Sequence, residues 1–183
     1  IDCTLSDITD RKRAEDRLMH EALHDQLTGL PNRALIMNRV ELALQRLKRQ
    51  VVDNFALLFI DFDRFKVIND SLGHLVGDHL LIVCAQGLQS CIRPQDTIAR
   101  LGGDEFVILL KPIREMTDVI EIGNRIHQVL QGAIDFEGQM MTIGTSIGIA
   151  IGESPAAVPE QLLDEADRAM YQEKRLRARK RAL

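Results

Sequence analysis

One short stretch of the sequence, Gly102-Gly-Asp-Glu105, has residue types that could bind a metal-bound phosphate. It lies between two apolar segments, Thr97–Leu101 and Phe106–Leu110, and a glycine pair between strand-like segments predicts a tight hairpin, because glycine tolerates positive φ. A glycine turn lets an anion approach the backbone, and two adjacent carboxylates can hold a divalent cation. Taken alone, such a stretch is more typical of a solvent-facing hairpin tip, so its interpretation depends on the rest of the chain.

A third acid ends the most apolar segment of the chain. Residues Phe55–Phe62 are almost continuously apolar, which predicts a buried strand. Alternation along this strand places Asp61 on the same face as Leu57 and Phe59, with Asp63 next in line. Because an unpaired buried carboxylate is costly, Asp61 is either a cap on the following helix or a metal ligand. The sequence leaves both interpretations open.

The order of the predicted elements from residue 55 onward is strand, helices, strand, strand, helix, strand, helix. This is the split β-α-β-β-α-β arrangement, so the predicted fold class is α/β (α+β), with a central antiparallel sheet flanked by helices. In this topology the end of the first strand can lie beside the hairpin tip, which would bring Asp61 close to Asp104 and Glu105. Three carboxylates in one pocket repel one another, and a bound Mg²⁺ would offset this repulsion. Because a residue after a turn need not follow strict alternation, the acid that faces the metal is not determined.

Capping residues and apolar patterns mark the elements around these strands. Asn32 is a predicted N-cap for an amphipathic helix that runs to about Gln50 and is broken at Asp53-Asn54. Residues 141–151 alternate isoleucines with glycine, serine and alanine, which predicts a strand with one apolar face and one bare face. The bare face favours a closely packed neighbour. Pro159–Lys174 is the last predicted helix.

The overall composition excludes several classes of protein. A net charge of −4 does not indicate a general nucleic-acid-binding surface. The sequence shows no signal peptide and no apolar segment near the roughly 18 residues that a membrane span needs. Cys84 and Cys91 lie on one predicted helix, about 10 Å apart at roughly 1.5 Å rise per residue, too far to form a disulfide. Reduced thiols and a cytoplasmic location are therefore expected.

The N-terminal segment predicts a connection to another domain. Residues 1–7 are interpreted as the end of a strand from a preceding domain, and the absence of Met at Ile1 suggests a piece of a longer protein. Residues 10–24 predict a polar helix with a narrow apolar stripe at three positions. Such a stripe is typical of a two-stranded seam, but a plain linker helix remains an equal alternative.

Four segments together resemble the GGDEF family of diguanylate cyclases: Gly102–Phe106, Asp61–Asp70, Leu72–Asp78 and Asp25–Arg33. The resemblance extends over about residues 20 to 176. It implies a palm-like core and a catalytic domain at residues 25–176.

The resemblance also implies a domain organisation. Upstream, the segment Asp7–Glu15 resembles the exit of a PAS sensor domain, so residues 1–24 are interpreted as the end of a sensor and a signalling linker helix. Residues 177–183 are interpreted as a basic tail that leads to a possible following domain. The Asp61–Asp70 segment is similar to that of GGDEF domains followed by an EAL phosphodiesterase domain.

Members of this family condense two GTP molecules into cyclic di-GMP and release pyrophosphate. The resemblance implies that Asp61, the backbone carbonyl of Phe62 and Asp104 hold Mg²⁺ or Mn²⁺. Glu105 would assist the attacking 3′-hydroxyl, either as a further metal ligand or as a general base. Because each domain holds one GTP, catalysis requires a homodimer, and the helix at residues 10–24 would set how the two domains meet.

The resemblance further assigns residues that contact GTP. Asn69 and Asp78 match the guanine-reading positions, and the other matching positions, mainly those near the phosphates, are Phe65, Lys66, Gly102, Gly103 and Lys174. The chain departs from the family pattern in its last helix, where Ala178 stands at a position usually held by arginine. Arg177 or Arg179 could supply the missing contact from a neighbouring turn.

Arg93-Pro-Gln-Asp96 matches the family's inhibitory product site. An arginine can donate two hydrogen bonds to guanine O6 and N7, and an aspartate can accept from its amino group. Arg125 is a candidate second arm of this site. The alternative is an Arg93–Asp96 surface ion pair that contributes under about 1 kcal/mol.

Three functions compete at this point. The leading one is an active diguanylate cyclase domain, because the acids at 61, 104 and 105 are all present. The second is a catalytically weak module that binds GTP or cyclic di-GMP and regulates a neighbouring EAL domain. The third is a cyclase that closes a mononucleotide ring, against which Arg93 and Asp96 argue weakly.

Overall fold

The computed structural model describes residues 2–49, 54–132, 134–136, 139–154 and 156–181. The described helices are α1 (Asp2–Leu23), α2 (Arg33–Lys48), α3 (Phe65–Leu72), α4 (His74–Ser90), α5 (Met116–Leu130) and α6 (Pro159–Arg181). The described strands are β1 (Phe55–Asp63), β2 (Thr97–Gly102), β3 (Glu105–Leu110), β4 (Ile134–Phe136), β5 (Gln139–Met141) and β6 (Gly144–Gly152).

Four of the strands form one antiparallel sheet in the order β2-β3-β1-β6. This confirms the predicted fold class of a mixed α/β domain with an antiparallel sheet flanked by helices. The two faces of β1 alternate as expected, because Leu58 and Ile60 pack with residues of α4 and α5, whereas Leu57 and Phe59 pack with residues of α2 and α6. Burial of both faces explains why the strand reads as continuously apolar.

The bare face of β6 has the close neighbour that its small residues predict. A Cβ atom at Gly148 would lie 1.9 Å from the carbonyl oxygen of Ala166 and 2.2 Å from the backbone nitrogen of Met170. Helix α6 therefore lies directly on β6 at this glycine. A larger residue there would push the helix away from the sheet.

Asn32 is the N-cap of α2, as predicted, and its side-chain oxygen accepts a hydrogen bond from the Leu35 backbone N–H at 3.2 Å. The helix ends at Lys48, slightly before the predicted end. The predicted end at Gln50 and the predicted break at Asp53 lie outside the described residues.

The structure corrects one prediction at the start of the chain, extends the last predicted helix and reveals one missed hairpin. The predicted strand over residues 1–7 is wrong for residues 2–7, which belong to α1; Ile1 lies outside the described residues. The segment 2–23 contains no glycine or proline, so extending a helix through it costs little. The last predicted helix, Pro159–Lys174, extends in the structure to Arg181 as α6. The missed pair, β4 and β5, has strands of three residues, too short for periodicity to indicate.

Candidate active site

The glycine hairpin brings acids from two neighbouring strands to one end of the sheet. Gly102 has φ +146° and Gly103 has φ +51°, conformations that residues with a Cβ rarely adopt. Glu105 follows the turn and pairs in register with Gly102 on β2 and with Asp61 on β1. Asp104 lies in the turn itself. The backbone thus places Asp61 and Glu105 directly opposite each other.

The charges of these acids act on one another. Burial raises the pKa of Asp61 above its ordinary value, Asp104 and Asp63 raise it further, and Lys174 opposes the rise. Partial burial also raises the pKa of Glu105, with added repulsion from Asp104 and Asp61. The structure therefore brings together the three acids that the sequence singled out. Such mutual repulsion is the condition that a bound cation relieves.

Lys174 supplies positive charge at this acidic end. Its ammonium donates a hydrogen bond to the Asp61 carboxylate, so the residue predicted to contact the triphosphate here forms an ion pair with a predicted metal ligand. Within the part of the chain that the structure describes, no three His, Cys, Asp or Glu side chains are already arranged as a metal site. The donor set still fits a hard cation, because carboxylate oxygens are the ligands that Mg²⁺ prefers.

The two residues matched to guanine reading lie near the junction of α3 and α4. The side-chain oxygen of Asn69 is buried and has no hydrogen-bond partner among the described residues. A Cβ at Gly77 would lie 1.8 Å from this oxygen and 3.2 Å from the Phe65 ring, so a side chain at this position would displace the Asn69 amide. Asp78 follows Gly77 and is exposed. A buried amide oxygen without a partner is available to a ligand donor. Lys66, matched to the triphosphate, is exposed on α3.

Asp96 is held by the backbone rather than by the Arg93 side chain. Its carboxylate accepts hydrogen bonds from the Arg93 N–H at 2.9 Å and from the Lys111 N–H at 3.1 Å. Arg93 and Asp96 line one cavity of about 360 Å³ together with Arg39 from α2. Arg125, predicted as a second arm, donates to the carbonyl of Cys91 at the end of α4. The structure thus brings Arg93 and Asp96 together and ties Arg125 to a nearby backbone.

Sequence reasoning missed a brace between the start of the domain and the hairpin. Arg100 donates to both Asp25 carboxylate oxygens at 3.0 Å, and it donates to the Gly103 carbonyl at 3.0 and 2.8 Å. Burial alone would raise the pKa of Asp25, but hydrogen bonds from Thr28 and Arg100 together lower it. Asp25 and Arg100 both lie in or beside the motifs noted above, but a separation of 75 residues gives no local signal of their pairing.

Sequence reasoning also missed two charged residues that act on Glu105, namely Asp167 on α6 and Arg33 at the start of α2. Asp167 adds to the rise in the pKa of Glu105, and Arg33 opposes it. Arg177, one of the two residues considered as a replacement for the family's arginine, forms an ion pair with Glu173 at 2.7 Å and donates to the Thr145 carbonyl at 2.6 Å.

An antiparallel sheet covered by helices, with acids at adjacent strand ends beside a glycine turn, is the arrangement of a palm-like catalytic domain. Comparison with known proteins identifies the family. The diguanylate cyclase GGDEF domain family matches residues 22–180, and the chain belongs to this family.

Two relatives illustrate the match. The chain is 43% identical over 159 residues to the diguanylate cyclase TpbB of Pseudomonas aeruginosa, covering 86% of this chain and 36% of TpbB. It is 42% identical over 166 residues to MucR of the same organism, a bifunctional diguanylate cyclase and cyclic di-GMP phosphodiesterase, covering 91% of this chain and 24% of MucR. The chain thus spans about a third or less of the curated relatives that it matches.

Solved structures agree with the fold. The GGDEF domain of TpbB superimposes with a TM-score of 0.79 at 42% identity, covering 84% of this chain and 89% of that domain. The GGDEF domain of DgcB from Caulobacter crescentus, in complex with cyclic di-GMP, gives a TM-score of 0.78 at 26% identity, covering 84% of this chain and 91% of that domain. No helix in the described ranges is both long and apolar enough to span a bilayer.

Proposed function

We propose that this chain is an active diguanylate cyclase domain, which condenses two GTP molecules into cyclic di-GMP and releases pyrophosphate. One observation carries the proposal: Asp61 and Glu105 lie in register on adjacent strands, with Asp104 beside them in a glycine turn. Membership of the family and the likeness to TpbB support it.

Asp61, the Phe62 carbonyl and Asp104 are the proposed ligands of Mg²⁺. When bound, this ion would neutralise phosphate charge and polarise the α-phosphate. The raised pKa of Glu105 suits a general base, because a base is most effective when its pKa approaches the working pH. Glu105 is proposed to accept the proton of the attacking 3′-hydroxyl. Gly102 and Gly103, which lack side chains, leave space for phosphate oxygens near the backbone.

Asn69 and Asp78 are proposed to read guanine. The buried Asn69 amide offers an oxygen without a partner in the described chain, and Asp78 offers an exposed carboxylate nearby. Guanine presents an N1–H, an amino group and a carbonyl on one edge, which an amide and a carboxylate together can satisfy. Lys174 and Lys66 are proposed to contact the triphosphate as point charges.

Catalysis across two domains requires a second copy of the chain. Two apolar residues of α1, Leu18 and Met19, are 66% and 67% exposed. These apolar side chains on a polar helix suit pairing with an identical helix. Pairing of α1 helices is therefore proposed to bring two GTP-loaded domains face to face.

Product inhibition is proposed at the cavity that Arg93 and Asp96 line. The Arg93 guanidinium would bind a guanine of cyclic di-GMP. The DgcB domain, crystallised with cyclic di-GMP, supports recognition of this product by the fold.

The direct test is incubation of the purified chain with GTP and Mg²⁺, with products identified by mass spectrometry. Cyclic di-GMP and pyrophosphate are the expected products, and a fused dimeric coiled coil in place of α1 serves to force pairing if the chain is monomeric. A forced dimer that binds GTP but makes no product would instead indicate the regulatory module. A cyclic mononucleotide would indicate the third alternative.

A further inference from the structure

Helix α6 changes its means of attachment halfway along its length. Its first half buries Leu162, Leu163, Ala166 and Met170 against the sheet. Beyond Met170 the large apolar residues face solvent. These are Tyr171 and Leu176, which are 58% and 57% accessible.

The buried stripe continues past Met170 with polar residues. Glu173, Lys174 and Arg177 are half-buried and lie three, four and seven positions after Met170, on the same face of the helix. Glu173 accepts a hydrogen bond from the Ile147 N–H, and Arg177 donates to the Thr145 carbonyl. Both backbone groups belong to β6, the outer strand of the sheet.

These contacts satisfy backbone groups that β6 would otherwise expose. The only strand paired with β6 in the described sheet is β1, so its outer side has no ladder partner there. An outer strand needs partners for its outward N–H and C=O groups. Glu173 and Arg177 provide partners for two such groups, the Ile147 N–H and the Thr145 carbonyl. The pair therefore takes the place of a neighbouring strand at these two groups.

His127 of α5 completes the attachment. One ring nitrogen, Nε2, lies 3.0 Å from an Arg177 nitrogen, and the other, Nδ1, lies 2.9 Å from the Thr145 hydroxyl. Arginine can only donate, so Nε2 must accept. The imidazole is therefore neutral, with its proton on Nδ1. Protonation would replace this hydrogen bond with repulsion between two cations.

We propose that Arg177 is a positioning residue, which fixes the last turns of α6 to β6 and α5 and so holds Lys174 beside the acidic end of the sheet. Lys174 is three residues from Arg177 and forms its own contact with Asp61. The inference rests on the proposed function in one respect, because it takes Lys174 as a contact of the GTP triphosphate. The contacts of Arg177 with β6 and α5 form a half-buried polar attachment rather than a ligand contact.

The charges around His127 give this attachment a pH dependence. The charged groups facing the ring are Arg177 and Glu173 from α6 and Asp63 from β1. Burial and then Arg177 lower the pKa of His127 below its ordinary value of 6.5, against the opposing influence of Glu173 and Asp63. A lowered histidine pKa means that the neutral form is kept in the fold. The attachment is thus complete above about pH 6.5 and weakens as the pH falls through the lowered value.

The first experiment measures GTP affinity by calorimetry with Mg²⁺ in a Glu105→Gln background, where turnover does not interfere. Arg177→Met should weaken GTP binding roughly three- to tenfold. This is less than the loss of about tenfold or more expected when a charge-assisted contact is lost outright, because Lys174 is misplaced but still present. The matched control is Arg175→Met, the same change at an exposed residue of the same helix. Adding Lys174→Met to Arg177→Met should weaken binding no further than Lys174→Met alone. Equal affinities for Arg177→Met and Arg175→Met, or additive losses, would overturn the proposal.

The second experiment follows the His127 imidazole by NMR, with its signals assigned by their loss in His127→Gln. Its pKa should be lower in the unsubstituted chain than in Arg177→Met and should be unchanged in Arg175→Met. His127→Gln, which retains a donor and an acceptor, should keep GTP affinity at pH 8 and lessen its loss below pH 6.5. An unchanged His127 pKa in Arg177→Met would contradict the contact itself.

Outcomes also separate this inference from the proposed function. If the parent chain binds GTP but makes no cyclic di-GMP, the proposed function fails. The GTP affinities of Arg177→Met and Arg175→Met still test whether Arg177 positions Lys174. If the parent chain binds no GTP, both fail. If Arg177→Met melts much lower than Arg175→Met, Arg177→Lys replaces it in the same tests. This variant keeps the charge but lacks the two guanidinium nitrogens with which Arg177 contacts Thr145 and His127 separately.

Discussion

Two groups of carboxylates in this domain lie in opposite electrostatic environments. Asp61 and Glu105, at the acidic end of the sheet, have raised pKa values because burial and like charges disfavour their ionised forms. Asp25 and Asp96, which we call the bracing carboxylates, each accept at least two hydrogen bonds. Acids that stabilise the fold are satisfied within it, whereas the acids proposed for catalysis leave a deficit of positive charge that a bound metal ion can fill.

The largest effect is expected at the acidic end. Glu105→Gln removes the ionisable group with little change in volume, so cyclic di-GMP synthesis should fall by at least about 100-fold, the usual range for a lost general base. GTP affinity should stay within about twofold. Glu165→Gln on the exposed face of α6 is the control. Near-normal turnover of Glu105→Gln would contradict the assigned role.

The side chain of Arg93 can be removed without disturbing Asp96, one of the bracing carboxylates. Asp96 is held by the backbone N–H of Arg93, so Arg93→Ala leaves this hydrogen bond in place. The substitution should weaken inhibition by cyclic di-GMP about tenfold or more, since a bidentate guanine contact is worth about 1–3 kcal/mol. Melting temperature should not change. Inhibition that persists unaltered, measured as the inhibition constant, would remove the product site from this cavity.

The brace at the start of the domain should affect stability more than affinity. Asp25→Asn weakens a charge-assisted contact with Arg100, and a loss of about 1.5–3 kcal/mol in the free energy of unfolding is expected from urea titration. Because the pKa of Asp25 is lowered, its contribution is present above pH 3.8 and is lost as the pH falls through the lowered value. The free energy of unfolding of Asp25→Asn should therefore fall less steeply than that of the unsubstituted chain as the pH is lowered. If the free energy of unfolding depended on acidic pH equally in the two proteins, the Asp25 carboxylate would not stabilise the fold through Arg100.

Much of the architecture could be predicted because it depends on local pattern. Alternation along β1 placed Asp61 on its face, Asn32 marked the start of α2, and the small residues of β6 indicated a close neighbour. The split topology then brought Asp61 and Glu105 to one end of the sheet. Each of these conclusions needs only the period of an element or the order of elements.

The bonds between distant segments could not be predicted. Arg100 and Asp25 are 75 residues apart, and Arg177 and His127 are 50 apart, so no periodicity links either pair. Both contacts also depend on which hydrogen-bonding groups the fold leaves without partners, which is known only once the strands are placed. Arg93 and Asp96 illustrate the same limit, since their spacing left a side-chain ion pair open as the alternative to a product site, whereas the bond runs from the Arg93 backbone N–H.

The smallest effect gives the sharpest test of the comparison, because its sign differs between the two groups. The raised pKa of Asp61 means that its ionised form is disfavoured in the fold, so its contribution to stability falls as the pH rises above 3.8. Asp61→Asn should therefore raise the melting temperature slightly at pH 7 without Mg²⁺ or GTP, although Lys174 offsets part of the gain. Asp164→Asn, at an exposed position, should leave it unchanged. If Asp61→Asn destabilised the chain as Asp25→Asn does, both carboxylates would be structural, and the proposed metal site would lose its electrostatic basis.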